Sequence, residues 1–212
     1  MKLSILALAG SLALAACSPD EPRAPVRAAS PEDAEPARAE VPATKQPDAP
    51  AAEAPPAKRG ELAFTPAADW IVETPVGAMR KAQYKLPRAE GDAVDAELVV
   101  FFNGKLGNGP IEVNLKRWAS QFEVEGGGVA REKLVSSTRR TDAASVTEAS
   151  IEGTYVAEKT PGSGERYHEP GWKLMGAILE SEAGPYYVRL VGPKATVDAH
   201  AAAFREFVSS AR

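Results

Sequence analysis

The chain has 212 residues with 25 Lys+Arg against 29 Asp+Glu, a formal net charge of −4, and that balance argues against a nucleic-acid binder, which carries a basic surplus. One cysteine excludes an intramolecular disulfide and a thiolate metal cluster, and two histidines far apart in sequence, His168 and His200, remove most zinc sites and most histidine-based catalysis. Charged residues at 25% and hydrophobic residues at 44% suit a globular protein, but these averages conceal three unlike segments.

Residues 1–16 read as a signal peptide. Lys2 supplies the positive start, and residues 3–14 form an apolar run interrupted only by Ser4, Gly10 and Ser11. A membrane-spanning helix needs about 20 apolar residues. This run is too short to span and has the length of a signal-peptide core. The residues that follow, Leu14-Ala15-Ala16-Cys17, resemble the lipobox of bacterial lipoproteins. In that family the cysteine receives a diacylglyceryl thioether and becomes the acylated N-terminus after cleavage. The resemblance implies lipidation of Cys17 and a membrane partner reached through the anchor. Ser18 rather than Asp after Cys17 points to the outer membrane, facing the periplasm. An ordinary secretory signal with an incidental cysteine is the plainer alternative. Each buried CH₂ contributes about 0.8 kcal/mol, and a single myristoyl chain holds only marginally. Two or three chains on one cysteine would hold the protein on its membrane for practical purposes permanently.

Residues 17–60 read as a tether. Between 18 and 60 there are 10 prolines, 12 alanines and no aromatic residue, and Val26 and Val41 are the only large aliphatic side chains. Such a stretch buries too little apolar surface to offset the ordering of its chain, so its composition predicts disorder. A polyproline-like form rises about 3.1 Å per residue, roughly 130 Å in all, whereas a flexible coil spans about 35–40 Å. The segment could hold a domain away from a bilayer, passing through peptidoglycan, or serve only as a spacer.

Residues 61–212 hold all fourteen aromatic residues and read as one globular domain, since a chain of about 150 residues buries roughly 68–70% of its unfolded surface. Residues 78–86 alternate imperfectly and predict an outer strand, with Arg80, Ala82, Tyr84 and Leu86 on one side. Residues 97–102 are apolar on both faces and predict a central strand covered on both sides. A Gly/Asn turn over 103–110 ends in Pro110, which suits the first turn of a helix. Ile111, Leu115, Trp118 and Phe122 then recur at helical spacing, and the Gly126-Gly127-Gly128 run is expected to end that helix. Strands are expected near 133–139 and 145–157, followed by a polar loop over 160–171. A hairpin of 172–180 with 185–191 comes next, broken by Gly192-Pro193. Thr196 is the expected N-cap of a last helix whose inward stripe is Val197, Ala201, Phe204 and Val208, with Phe207 at its edge.

Short hairpins imply a mainly antiparallel sheet, and two strands apolar on both faces imply helices on both sides. The predicted fold class is α+β, a three-layer α-β-α sandwich. Met79-Arg80 opening a strand, the 101–109 turn, the 114–122 helix with Arg117-Trp118, and Gly192-Pro193 before a C-terminal helix resemble a set of bacterial envelope proteins whose architecture is similar to the PsbP-like fold. The likeness covers about residues 70–210. It is a pattern of structural residues and implies no single chemistry.

The candidates for chemistry are few. Gly104, Gly107 and Gly109 with Lys105 between a strand and a helix could cradle an anion. The order is G-x-x-G-x-G, however, which departs from the dinucleotide fingerprint, and a structural turn is the plainer reading. Asn114, Arg117 and Gln121 form a polar stripe at i, i+3 and i+7, able to line a groove and bind a polar partner, or simply to face water. His200 beside Asp198, and His168, lack a second ligand at metal spacing and are expected to be exposed. Ser163 sits in no nucleophile elbow. Glu148 and Glu152 share one strand face and are expected to meet water. Tyr167, Trp172, Tyr186 and Tyr187 could form a recognition patch or pack at a hairpin end. Together these features predict a non-enzymatic envelope lipoprotein, without metal or cofactor and without a nucleic-acid partner. Its domain would bind or scaffold an envelope protein or a peptidoglycan-associated partner. The rival is a hydrolase or small-ligand-binding protein using a groove beside the first helix, where Arg117 would meet buried carboxylates.

Overall fold

Apolar runs separated by short turns leave antiparallel neighbours as the economical pairing. The computed structural model, which describes residues 61–212, has eight strands in one sheet whose strand pairings are all antiparallel. The expected signal peptide, the lipidation site Cys17 and the tether lie outside the described residues. In chain order the strands are β1 (Ile71–Glu73), β2 (Arg80–Leu86), β3 (Ala96–Phe102), β4 (Phe122–Glu123), β5 (Val135–Arg140), β6 (Ser145–Tyr155), β7 (Glu169–Ser181) and β8 (Gly184–Pro193). The helices are α1 (Ile111–Ala119), α2 (Ala130–Lys133), α3 (Lys194–Ala199) and α4 (Ala201–Ser209), with a 3₁₀ turn over Gly104–Leu106. Spatial order is β1-β2-β3-β8-β7-β6-β4, and β5 also lies on β6.

The strand period of two sorts β7 and β8 into two cores. Met175, Ala177, Leu179, Tyr186, Val188 and Leu190 join Val197, Phe204, Phe207 and Val208 of α3 and α4 in one cluster. Leu174, Ile178, Tyr187 and Val191 join Leu115, Trp118 and Ala119 of α1 in the other. The first cluster also takes in the segment before β1. Leu62 donates its N–H to the Tyr186 hydroxyl at 2.9 Å, Ala63 exchanges backbone hydrogen bonds with Arg212, and Phe64 stacks on Phe207 at 5.0 Å.

Tertiary contacts move several expected boundaries. A register irregularity between Arg80 and Ala82 breaks the alternation of β2. Tyr84 and Leu86 point into the α4-side core, but Arg80 lies with Gln83 and Glu97 on the opposite face. The apolar helical stripe is real, yet α1 stops at Ala119, well short of the triple glycine. The reason is pairing: Phe122 and Glu123 form β4 against Tyr155 and Thr154, and Val156 donates to the Gln121 carbonyl at 2.8 Å. Gly153 permits this approach, because a Cβ there would collide with the Glu123 carbonyl.

Gly192 and Pro193 do not break β8 but complete it, opposite Lys173 and Trp172. A side chain at 192 would come within 2.7 Å of the Ala96 Cβ. β7 begins at Glu169, inside the stretch expected to be loop. Helix α3 starts with Pro193 as its N-cap, so Thr196 lies within it, buried, receiving no capping role and bonding to Asp92 instead. His200 is not exposed. It separates α3 from α4 at 8% exposure, with Nε2 2.9 Å from the Pro87 carbonyl. Phe207 is not at an edge but 1% exposed, against Phe64, Trp70 and Tyr84.

Candidate functional site

Helix α1 is nine residues long and covers only part of its sheet face. Trp118 lies on Gly176 of β7, where any Cβ would collide with the indole. That close seating is why a small residue stands in the middle of a central strand. Past the end of α1 the sheet face drops into an open groove of about 850 Å³. Its floor comes from β3, β8, β7 and β6 through Phe101, Arg189, Trp172 and Tyr155. One wall is the end of α1 with Arg117, Ser120 and Gln121, and another is the loop after β6 with Glu158, Lys159, Arg166 and Tyr167. Two further surface hollows, beside Ser136 and beside Asp142, measure about 180 and 490 Å³.

The groove carries two kinds of surface. The first is aromatic. The Tyr155 and Trp172 rings stack with centroids 5.4 Å apart and planes 7° apart, and Tyr167 lies 5.4 Å from Tyr155. Burial raises the Tyr155 hydroxyl above the ordinary tyrosine range, while the nearby Arg189 guanidinium acts in the opposite direction. The second is a set of cations with unlike partners. Arg80 is paired with Glu97 at 3.2 Å, donates to Gln83 at 2.7 Å and lies over the Phe101 ring. Arg117 donates to the Asn114 amide oxygen at 3.1 Å, and Arg166 to the Val156 carbonyl at 2.6 Å. Arg189 donates to Gln121 Oε1 at 3.2 Å and reaches the Tyr155 hydroxyl at 3.5 Å, while its Nε is buried without a partner.

Of the polar stripe expected on the first helix, Arg117 and Gln121 line the groove and Asn114 does not. Asn114 is buried. Its amide nitrogen donates to the carbonyls of Asn108, Gly109 and Pro110 at 3.3, 3.1 and 3.0 Å, binding the turn to the start of α1. That turn is structural. Gly107 fits against Pro185 and Tyr187, and Asn108 donates its N–H to the Tyr187 hydroxyl. The aromatic group noted in sequence divides in two: Tyr167 and Trp172 line the groove, whereas Tyr186 and Tyr187 are buried in opposite cores. His168 is exposed, and Ser163 Oγ only accepts the Glu165 N–H. Glu148 pairs with Arg139, and Glu152 with Lys194.

Among the groove residues that escaped the reading of the sequence are Arg80, Tyr155 and Arg189. Arg80 did so because the irregularity in β2 reverses its face. Arg189 carried a usable signal, a lone cation inside the apolar run of β8. Among the described residues there is no cluster of three or more His, Cys, Asp or Glu side chains able to hold a metal, and no helix long and apolar enough to cross a membrane. No protein-family model matches the chain, and no curated protein matches it.

Proposed function

We propose that this chain is an envelope lipoprotein, anchored through Cys17 and extended on the tether of residues 18–60, whose domain binds a partner or ligand in the groove beside α1 without transforming it. The finer fold assignment belongs to the same reading: a three-layer α-β-α arrangement of the PsbP-like kind, supported by the two separate cores holding α1 and the α3–α4 pair. The observation that carries the binding role is the make-up of the groove, where stacked rings and guanidinium groups meet on an open sheet face. These are recognition groups. The lining serine, Ser120, donates its hydroxyl to the Arg117 carbonyl at 2.9 Å, the pose of a helix-end hydrogen bond and not of an activated nucleophile.

A small-molecule ligand is favoured over a broad protein surface by size, since about 850 Å³ falls inside the roughly 300–1,000 Å³ range of small-ligand pockets. The anchoring half of the proposal is tested by Cys17→Ser, which is expected to move the protein out of the membrane fraction and remove the lipid mass. Unchanged detergent-dependent fractionation with no mass difference rejects it. The binding half is tested by photo-crosslinking from position 117 in membranes. One reproducible adduct supports it, and labelling no stronger than from exposed Lys116, which lies outside the groove lining, rejects it.

A further inference from the structure

The partners of Arg189 do not match its charge. A guanidinium has five N–H donors in a rigid fork and carries its charge at any accessible pH. Here two of those donors meet neutral oxygens, on Gln121 and Tyr155, the second at the limit of hydrogen-bond distance. Nε is out of contact with water and has no partner, and Arg189 forms no ion pair among the described residues. Arg189 is partly buried, and a guanidinium with one shielded, unpaired N–H and no counter-charge lacks an acid.

The neighbouring acid does not supply it. Glu97 lies on the same sheet face but accepts from Arg80 and Gln83, at 3.2 and 3.1 Å. Gln83 in turn donates to Glu73, which pairs with Lys85. That chain of contacts on β1, β2 and β3 neutralises its own charges and leaves Arg189 alone at the groove floor.

We infer that the groove is the receptor for a ligand carrying a single oxyanion, a carboxylate or a phosphate, on a flat apolar body, with Arg189 holding the oxyanion and Trp172 and Tyr167 taking the flat body. The inference rests on the groove reading above and names the chemistry of its ligand. Two oxygens of a carboxylate or a phosphate match the guanidinium fork in a bidentate pose through its Nη groups. Trp172 and Tyr167, both packed against the buried Tyr155 ring, line the groove beside it. The rim argues for a single anionic group. Asp95, Glu158 and Glu169 share the lining with Arg117, Lys159 and Arg166, so the wall field is mixed. A polyanion would meet repulsion along the rim that a single anion placed on Arg189 avoids.

The test uses the full chain purified in detergent, with benzoate, phenyl phosphate and benzamide as probes. Binding is followed by the NMR signals of the Arg189 Nε–H and the Trp172 indole. Benzoate and phenyl phosphate are expected to move both signals, with benzamide at least about tenfold weaker, the size of one charged hydrogen-bonded contact. Arg189→Gln is expected to erase the preference for the anions without lowering the melting temperature, since it removes an uncompensated charge. Arg189→Lys, which keeps the charge and loses the fork, is expected to retain a reduced preference. Should benzamide bind as well as benzoate while moving Trp172, the anion inference falls and the groove reading stands. Should no probe move Trp172, both fall. If Arg189→Gln melts early, Arg189→Lys decides: an unreduced anion preference in that variant overturns the bidentate role.

Discussion

The two faces of the sheet are built from the same strands and treated in opposite ways. On the α4 side, alternate residues of β2, β3, β8 and β7 meet Phe204, Phe207 and Val208, and the segment around Phe64 and Trp70 closes the remaining gap. On the α1 side, the helix shields β6, β7 and part of β8, and β1, β2 and β3 present Glu73, Gln83, Lys85, Arg80 and Glu97 as a hydrogen-bonded surface. The difference teaches where specificity can be placed without loss of the fold. A face closed by aromatic packing supplies stability, and the partly covered face can carry an unpaired arginine.

The largest expected effect separates the faces most sharply. Phe207→Ala deletes a ring that touches Phe64, Trp70 and Tyr84, and is expected to cost about 3–5 kcal/mol in urea unfolding. Trp172→Ala, in the half-buried groove, is expected to cost clearly less. Equal costs would break the comparison.

The next tests the one place where the α1 side is as tightly packed as the other. Gly176→Ala pushes a methyl into the Trp118 ring and is expected to destabilise by about 1–3 kcal/mol. In a double-mutant cycle, Trp118→Leu is expected to relieve part of that cost, because the two sites share one contact. Simple additivity would show that the helix adjusts freely and is not seated on the strand.

A smaller effect concerns the polar surface. The hydrogen bond from Lys85 is the main cause that holds the Glu73 carboxyl below the ordinary glutamate range, against burial, with Gln83 and Arg80 helping. A depressed carboxylate stabilises the fold above its unfolded pKa, and that contribution is lost as pH falls through the lower folded value. Glu73→Gln is therefore expected to lower stability at neutral pH by about 0.2–1 kcal/mol, the range of partly exposed pairs. The gap between variant and parent should close as pH falls below the ordinary glutamate range. A gap that widens in acid reverses the assignment.

The smallest effect is Arg117→Ala. The residue is exposed and its guanidinium is hydrogen-bonded only to Asn114, so unfolding free energy is expected to change by less than about 0.5 kcal/mol. Its neighbour Trp118, 6% exposed, is expected to cost several times more when truncated. Thermal melts of the two variants under one condition make the comparison.

The strands and the helical stripe were legible because period two and period 3.6 are local properties of the chain. The runs at Leu98–Phe102 and Leu174–Leu179 are apolar on both faces, and each became a central strand feeding two cores. Gly192 and Pro193 misled for the opposite reason. Their local meaning is a break, but the close approach of Ala96 makes glycine the residue that fits an unbroken strand. Phe122 kept its place in the apolar cluster while leaving the helix, because strand pairing with Tyr155 outweighs one more helical turn.

By itself the sequence determined the longer strands, the helical stripes of α1 and the C-terminal helix, the antiparallel character of the sheet and the candidacy of Arg117 and Gln121 on one side of α1. Only the tertiary structure decided that Asn114 is spent inside the turn, that Arg80 crosses to the other face, and that Arg189 stands at the floor of a groove without a counter-charge. The physical reason is range. Side-chain direction follows from neighbours in sequence, whereas what covers a side chain depends on strands and loops folded back from far along the chain.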